Sequence, residues 1–174
     1  MSKSSHNILF ISYDGMTDPL GQSQVLPYLT GLSVSGNYAI TLISCEKENE
    51  YLKGKGIIQE ICQSNNIDWR PISYTKKPPV LSTLKDIIKI RKLAAKLHLE
   101  KNFNIIHCRS YISALIGQWM KKKYGVKFIF DMRGFWADER VDGNLWPQSN
   151  VVYRSIYSYF KKKEREFLEE ADYT

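Results

Sequence analysis

At 174 residues, 43% hydrophobic and 25% charged, the chain has the composition of one ordinary globular domain, not of a disordered or fibrous segment. Its net charge of +7 has a single source, because residues 70–101 carry nine basic side chains against Asp86 and Glu100. Three scattered cysteines (Cys45, Cys62, Cys108) form no CxxC pair and read as buried, reduced thiols, which argues against a disulfide framework or a zinc module.

In chain order, the apolar run Ile8–Ile11 opens a strand expected over Ile8–Tyr13. That run is too short for the apolar core of a secretory leader, and no stretch approaches a membrane-spanning length, so a cytoplasmic protein is expected. The stretch DGMTDPLGQSQ follows and leads into a helix at about 22–35. Gly15 and Gly21 allow sharp turns and close approach, and the free amides at the helix start near Gln22 favour an anion. The spacing is neither GxGxxG nor a P-loop, Asp14 and Asp18 would repel a phosphate, and an ordinary βα turn stays open as the alternative.

A second strand is expected at Ala39–Cys45, a helix at about 52–64, and a third strand at Ile67–Ile72. After YTKKPP comes a helix at about 80–101, in which Lys85, Lys89, Lys92 and Lys96 fall on one narrow stripe. Leu84, Ile87, Ile88, Ile90, Leu93 and Leu97 cover most of the remaining surface, so a largely buried helix with an outward lysine stripe is predicted. The charge excess is thereby assigned to a helix face, and no nucleic-acid-binding motif accompanies it.

The fourth strand, Asn104–Cys108, empties into RSY. Strand alternation puts His107 and Arg109 on one face. His107 reads as a core histidine and Arg109 as a guanidinium for phosphate or carboxylate. The helix at 111–124 turns Ile112, Leu115, Ile116 and Trp119 inward, with Ser110 as its cap and Gly125 as its left-handed terminus. The fifth strand, Lys127–Asp131, runs into FDMRGFWADERVDG, where Asp131, Arg133, Asp138, Glu139, Arg140 and Asp142 crowd around Phe135 and Trp136. An aromatic ring among acids and arginines suits a sugar, and a carboxylate there can position or deprotonate a hydroxyl. Asp131, Arg133 and Asp138 are the candidate catalytic residues. A last helix is expected at about 149–171.

Near-continuous apolar strands (ILFI, ITLI, FIF) alternating with helices predict an α/β fold with a doubly wound, Rossmann-like parallel sheet, as one domain over residues 1–174. Ligands should then meet the carboxyl ends of the first, fourth and fifth strands. No Asp-x-Asp closes a strand and no three His, Cys or carboxylate groups stand at metal-ligand spacing, so chemistry without metal or cofactor is expected.

Three stretches, ISYDGMTDPLGQSQVLPYL, IIHCRSY and FDMRGFWADERVDG, resemble in order the amino-terminal half of retaining GT-B-fold glycosyltransferases of family 4, the group 1 glycosyltransferases, especially bacterial members that build surface polysaccharides. The resemblance implies the acceptor-binding lobe of a two-lobed, hexosyltransferase-like enzyme that uses a nucleotide-sugar donor and a saccharide or lipid-linked acceptor. It places Gly15, Gly21 and Gln22 towards the donor phosphates and the reaction centre. Arg109, Ser110, Trp136, Glu139 and Arg140 would line the substrate cleft. Two departures stand out: the first-loop glycines are six residues apart instead of adjacent, and Met132–Arg133 replaces a histidine after the fifth strand. Most of the donor site, with a Glu-x7-Glu signature, is expected in a second lobe that this chain lacks, so the chain alone should fold yet be nearly inert. Because such acceptors are often lipid-linked, the lysine stripe becomes a candidate membrane-docking face at the inner surface of the cell membrane. The competing reading is a non-enzymatic nucleotide- or ligand-binding module with a flavodoxin-like fold.

Overall fold

The computed structural model describes residues 6–35, 37–78 and 80–174; the second proline of YTKKPP, Pro79, lies outside the described residues. Five strands form one parallel sheet: β1 (His6–Ser12), β2 (Tyr38–Glu46), β3 (Ile67–Ser73), β4 (Ile105–Arg109) and β5 (Lys127–Asp131), in the order β3-β2-β1-β4-β5. All five expected strands are present within a residue or two. Their continuous apolar runs follow from burial on both faces. Phe10, Ile40 and Leu42 pack with residues of α1 (Leu26–Val34) and α2 (Glu48–Ser64). Leu9, Ile11, Ile43, Ile106, Phe128 and Phe130 pack on the opposite side with α3 (Leu81–Lys101), α4 (Ser110–Tyr124) and α6 (Val151–Glu170).

The chain builds outward from β1 through β2 to β3, then crosses back to lay β4 on the other side of β1. The order therefore reverses between β1 and β4, and their carboxyl ends open a crevice there.

Three expectations need correction. First, α3 is not largely buried. Its inward stripe is Ser82, Asp86, Ile90, Ala94 and Leu97, while Leu84 and Ile88 are about half exposed, at 49% and 51%. Lys89 stays exposed as expected, but its Nζ is tied down, donating to Asp86 Oδ1 (2.9 Å), Thr75 Oγ1 (2.8 Å) and the Ser73 carbonyl (3.2 Å). Second, Ser110 caps nothing. It is the first residue of α4, at φ +66°, and Arg109 occupies the cap position. The other end of α4 is as expected, with Gly125 at φ +70° and its N–H donating to the Lys121 carbonyl. Third, the polar stretch after β5, where no helix was expected, holds a short one, α5 (Trp136–Asp142), with Asp138 and Glu139 in its first turn, where acids suit the helix dipole.

Beyond α6, Asp172 N–H donates to the Phe128 carbonyl and Phe130 N–H to the Tyr173 carbonyl, so Tyr173 pairs in parallel with Ile129 at the β5 edge. No helix among the described residues is long and apolar enough to cross a membrane.

Candidate functional site at the sheet reversal

Register decides which side chains meet. Ser44, Ser12, Arg109 and Asp131 stand in one rank across β2, β1, β4 and β5. Arg109 is therefore flanked by the ends of both neighbouring strands, and only 7% of its side chain reaches solvent. Its Nη2 donates to Gln24 Oε1 at 2.6 Å, while Asp14 and Asp131 stand at 3.7 Å, beyond hydrogen-bond range. Arg133, held at φ +62°, donates through Nη2 to the same Gln24 oxygen at 2.5 Å. Two guanidinium groups thus share one neutral acceptor. Left-handed backbone at both Ser110 and Arg133 is costly for residues with a β-carbon, and such strain collects at functional sites.

Gln24 arrives through an irregular turn. Residues Gly21–Val25 form a π-helical turn in which Leu26 N–H donates to the Gly21 carbonyl, five residues back. Pro27 has no N–H to offer Ser23, which removes the regular bond at this point. The preceding loop is anchored by Glu46, which is buried at the end of β2. Its carboxylate accepts from Met16 N–H (2.7 Å), Thr17 N–H (3.1 Å), Thr17 Oγ1 (2.6 Å) and Ser44 Oγ (2.5 Å). Gly15 abuts this carboxylate, and a Cβ on Gly21 would stand 2.2 Å from the Gly15 carbonyl oxygen. Both glycines consequently have a packing reason to be glycine, independent of any ligand. Gln22 is exposed and donates to the Thr17 carbonyl. This places it within the loop's own bonding.

From the Arg109 cluster a cleft of about 960 Å³ runs outward between the start of α3 and the start of α6. Tyr13, Asp14, Gln24, Arg109, Ser110 and Arg133 line its polar end; Val80, Leu84, Ile87, Leu145, Ile156 and Tyr159 are among its apolar walls. Trp136 also lines it, but its ring packs against Tyr111 (5.7 Å), Trp146 (5.2 Å) and Phe160 (5.0 Å). Arg140 lies over Trp136 at 5.1 Å and reaches the cleft as well.

Two sequence candidates stand elsewhere. Asp138 turns to α6, accepting from Tyr157 Oη and Lys161 Nζ at 2.8 Å each, and these bonds hold its carboxyl below the usual range. In this position Asp138 braces α5 against α6 and does not line the cleft. Glu139 is exposed and leans back towards Gly134.

The electrostatics separate the remaining groups. Burial and the nearby Arg133 charge lower the Arg109 pKa. Burial raises that of Asp131 even though both arginines oppose the shift. His107 shares the Arg109 face, as strand alternation predicts, but packs between Phe10 (4.6 Å) and Tyr28 (5.6 Å); burial brings it down to about 4, so it is a neutral core histidine. Sequence reasoning missed Gln24 and Glu46. A polar residue three positions before Pro27 and an acid closing an apolar strand are weak signals by themselves.

No family model matches this sequence, and no curated protein matches it. Solved structures do resemble the fold. Sucrose-phosphate synthase from Thermosynechococcus elongatus aligns over 96% of this chain with a TM-score of 0.60 and 13% identity. The glycotransferase of kitacinnamycin aligns over 97% with 0.54 and 10%. The chain spans 41% of the length of each. The C-terminal domain of the PF1911 hydrogenase from Pyrococcus furiosus aligns over 76% of this chain and 94% of its own length, with 0.52 and 17%. The fold is a Rossmann-like α/β sheet that matches one lobe of a GT-B glycosyltransferase, and it also occurs outside that class.

Proposed function

We propose that this chain is the acceptor-side lobe of a retaining, metal-independent GT-B glycosyltransferase, in which a second lobe holds most of the nucleotide-sugar donor. The observation that carries this reading is the convergence of Asp14, Gln24, Arg109, Asp131 and Arg133 at the sheet reversal of a GT-B-like lobe. Asp131 would accept a hydrogen bond from the acceptor hydroxyl or take its proton; its raised pKa brings it nearer the range a general base needs. Arg109 and Arg133 orient the substrate, while Trp136 and Arg140 form the wall behind it. The acceptor is a saccharide or a lipid-linked saccharide, and the long apolar wall of the cleft can accommodate the latter.

Kinetics of the complete reading-frame product test the assignment. Asp131→Asn and Arg133→Ala are each expected to lower kcat/KM by about 10²-fold or more without unfolding the protein. Asp138→Ala should leave kcat unchanged and cost about 1 kcal/mol of stability through its two lost hydrogen bonds. Undiminished turnover in both Asp131→Asn and Arg133→Ala would refute the site.

A further inference from the structure

We infer that the inner end of the cleft is a binding site for a phosphate group, held by Arg109, Arg133 and the first turn of α4. This rests on the sheet reversal being the ligand-binding edge, as the proposed function does, but not on sugar transfer.

Arg109 is more than nine-tenths buried, yet its Nε has no hydrogen-bond partner. Among the described residues it is one of four buried side-chain polar atoms without a partner, and the one of them whose residue lines the cleft. A buried polar group without a partner is costly, and one at the inner end of a cleft marks a place where something can bind. Among the described residues the one hydrogen bond from the Arg109 side chain runs to Gln24 Oε1, shared with Arg133. A tetrahedral oxyanion satisfies such a pair better than one amide oxygen, because each guanidinium offers a planar fork of N–H groups.

The α4 start adds a second source of positive potential. This helix is 15 residues long, no side chain caps its amides, and Ser110 is bent into a left-handed conformation at its first position. Asp14 and Asp131 do not occupy the site, since both stay 3.7 Å from Arg109, and Asp14 is half exposed on the rim. They set a sign for the test: a phosphate is repelled by Asp14, whereas a neutral sugar hydroxyl would be held by it.

Calorimetry on the chain tests this with inorganic phosphate, glycerol 1-phosphate and dodecyl phosphate, and with dodecyl maltoside as the uncharged control. All three phosphates are expected to bind, at least tenfold more weakly in Arg133→Gln and in Arg109→Lys, which keeps the charge and loses the fork. Asp14→Asn should bind them several-fold more tightly. Dodecyl phosphate binding more than tenfold tighter than glycerol 1-phosphate would identify the source as a lipid headgroup seated along the apolar walls; equal affinities would identify a water-soluble phosphate. Absence of phosphate binding in the millimolar range, or unchanged affinity in both arginine variants of folded protein, would overturn the inference. Sugar transfer without phosphate binding would overturn it while leaving the transferase reading intact, and phosphate binding without sugar transfer would do the reverse.

Discussion

Glu46 shows how one side chain shapes the site without lining it. It is buried, meets no cation among the described residues, and is satisfied by two backbone N–H groups and two hydroxyls. Those bonds fix Met16 and Thr17, and through them the turn that carries Gln24 to the two arginines. Glu46→Ala strands two amides in the interior, so a loss of about 3 kcal/mol is expected, measured as a lowered urea midpoint with unchanged slope. Glu46→Gln keeps an acceptor and should recover more than half of it. Arg109, Asp131 and Arg133 were legible beforehand because strand ends can be counted in the sequence and charged residues are unusual there. Gln24 was not, since its position depends on a π-helical turn that only tertiary packing reveals. Asp138 is as polar as Asp131, but α5 points it at Tyr157 and Lys161, an orientation that residue type and spacing do not reveal.

Among the elements, α3 departs furthest from its sequence pattern. Its apolar residues outnumber what one packing stripe can bury, so Leu84 and Ile88 remain half exposed beside Lys85 and Lys92. Lys96 is exposed one turn further on. We propose that this outer face, both apolar and basic, docks peripherally at an anionic bilayer. Vesicles containing phosphatidylserine should co-sediment with the chain at low salt and release it at high salt, with Leu84→Ser and Lys85→Glu each weakening binding; vesicles that retain no protein at low salt would remove this role. The inner face is held by Asp86. Burial alone would raise its carboxyl, but hydrogen bonds from Thr75 and the Lys89 ammonium outweigh burial and depress it. A depressed carboxyl stabilises the fold above the unfolded value, about 3.9, and that contribution is lost as pH falls through the lower folded value. Urea midpoints should therefore drop below about pH 4, and Asp86→Asn should flatten the drop. An equally steep drop in the variant would assign it to other groups.

At the scale of the molecule, the order β3-β2-β1-β4-β5 puts one crevice between β1 and β4, and the residues with chemistry gather there. This much was open to sequence reading: uninterrupted apolar strands imply a sheet covered on both faces, and such a sheet binds at its carboxyl edge. Hidden from the sequence was the depth of the cleft, because the connection between α5 and α6 and the start of α6 build its outer wall, from Leu145 and Trp146 in the connection and Ile156 in the helix. We propose that this crevice serves glycosyl transfer. This is tested most directly by incubating the product of the complete reading frame with radiolabelled nucleotide sugars and a membrane or saccharide extract, then following label into product. Transfer that requires Arg133 and Asp131 is the predicted result. Failure to transfer or hydrolyse any nucleotide sugar, by a folded protein, would contradict it and leave a binding module built on the same lobe.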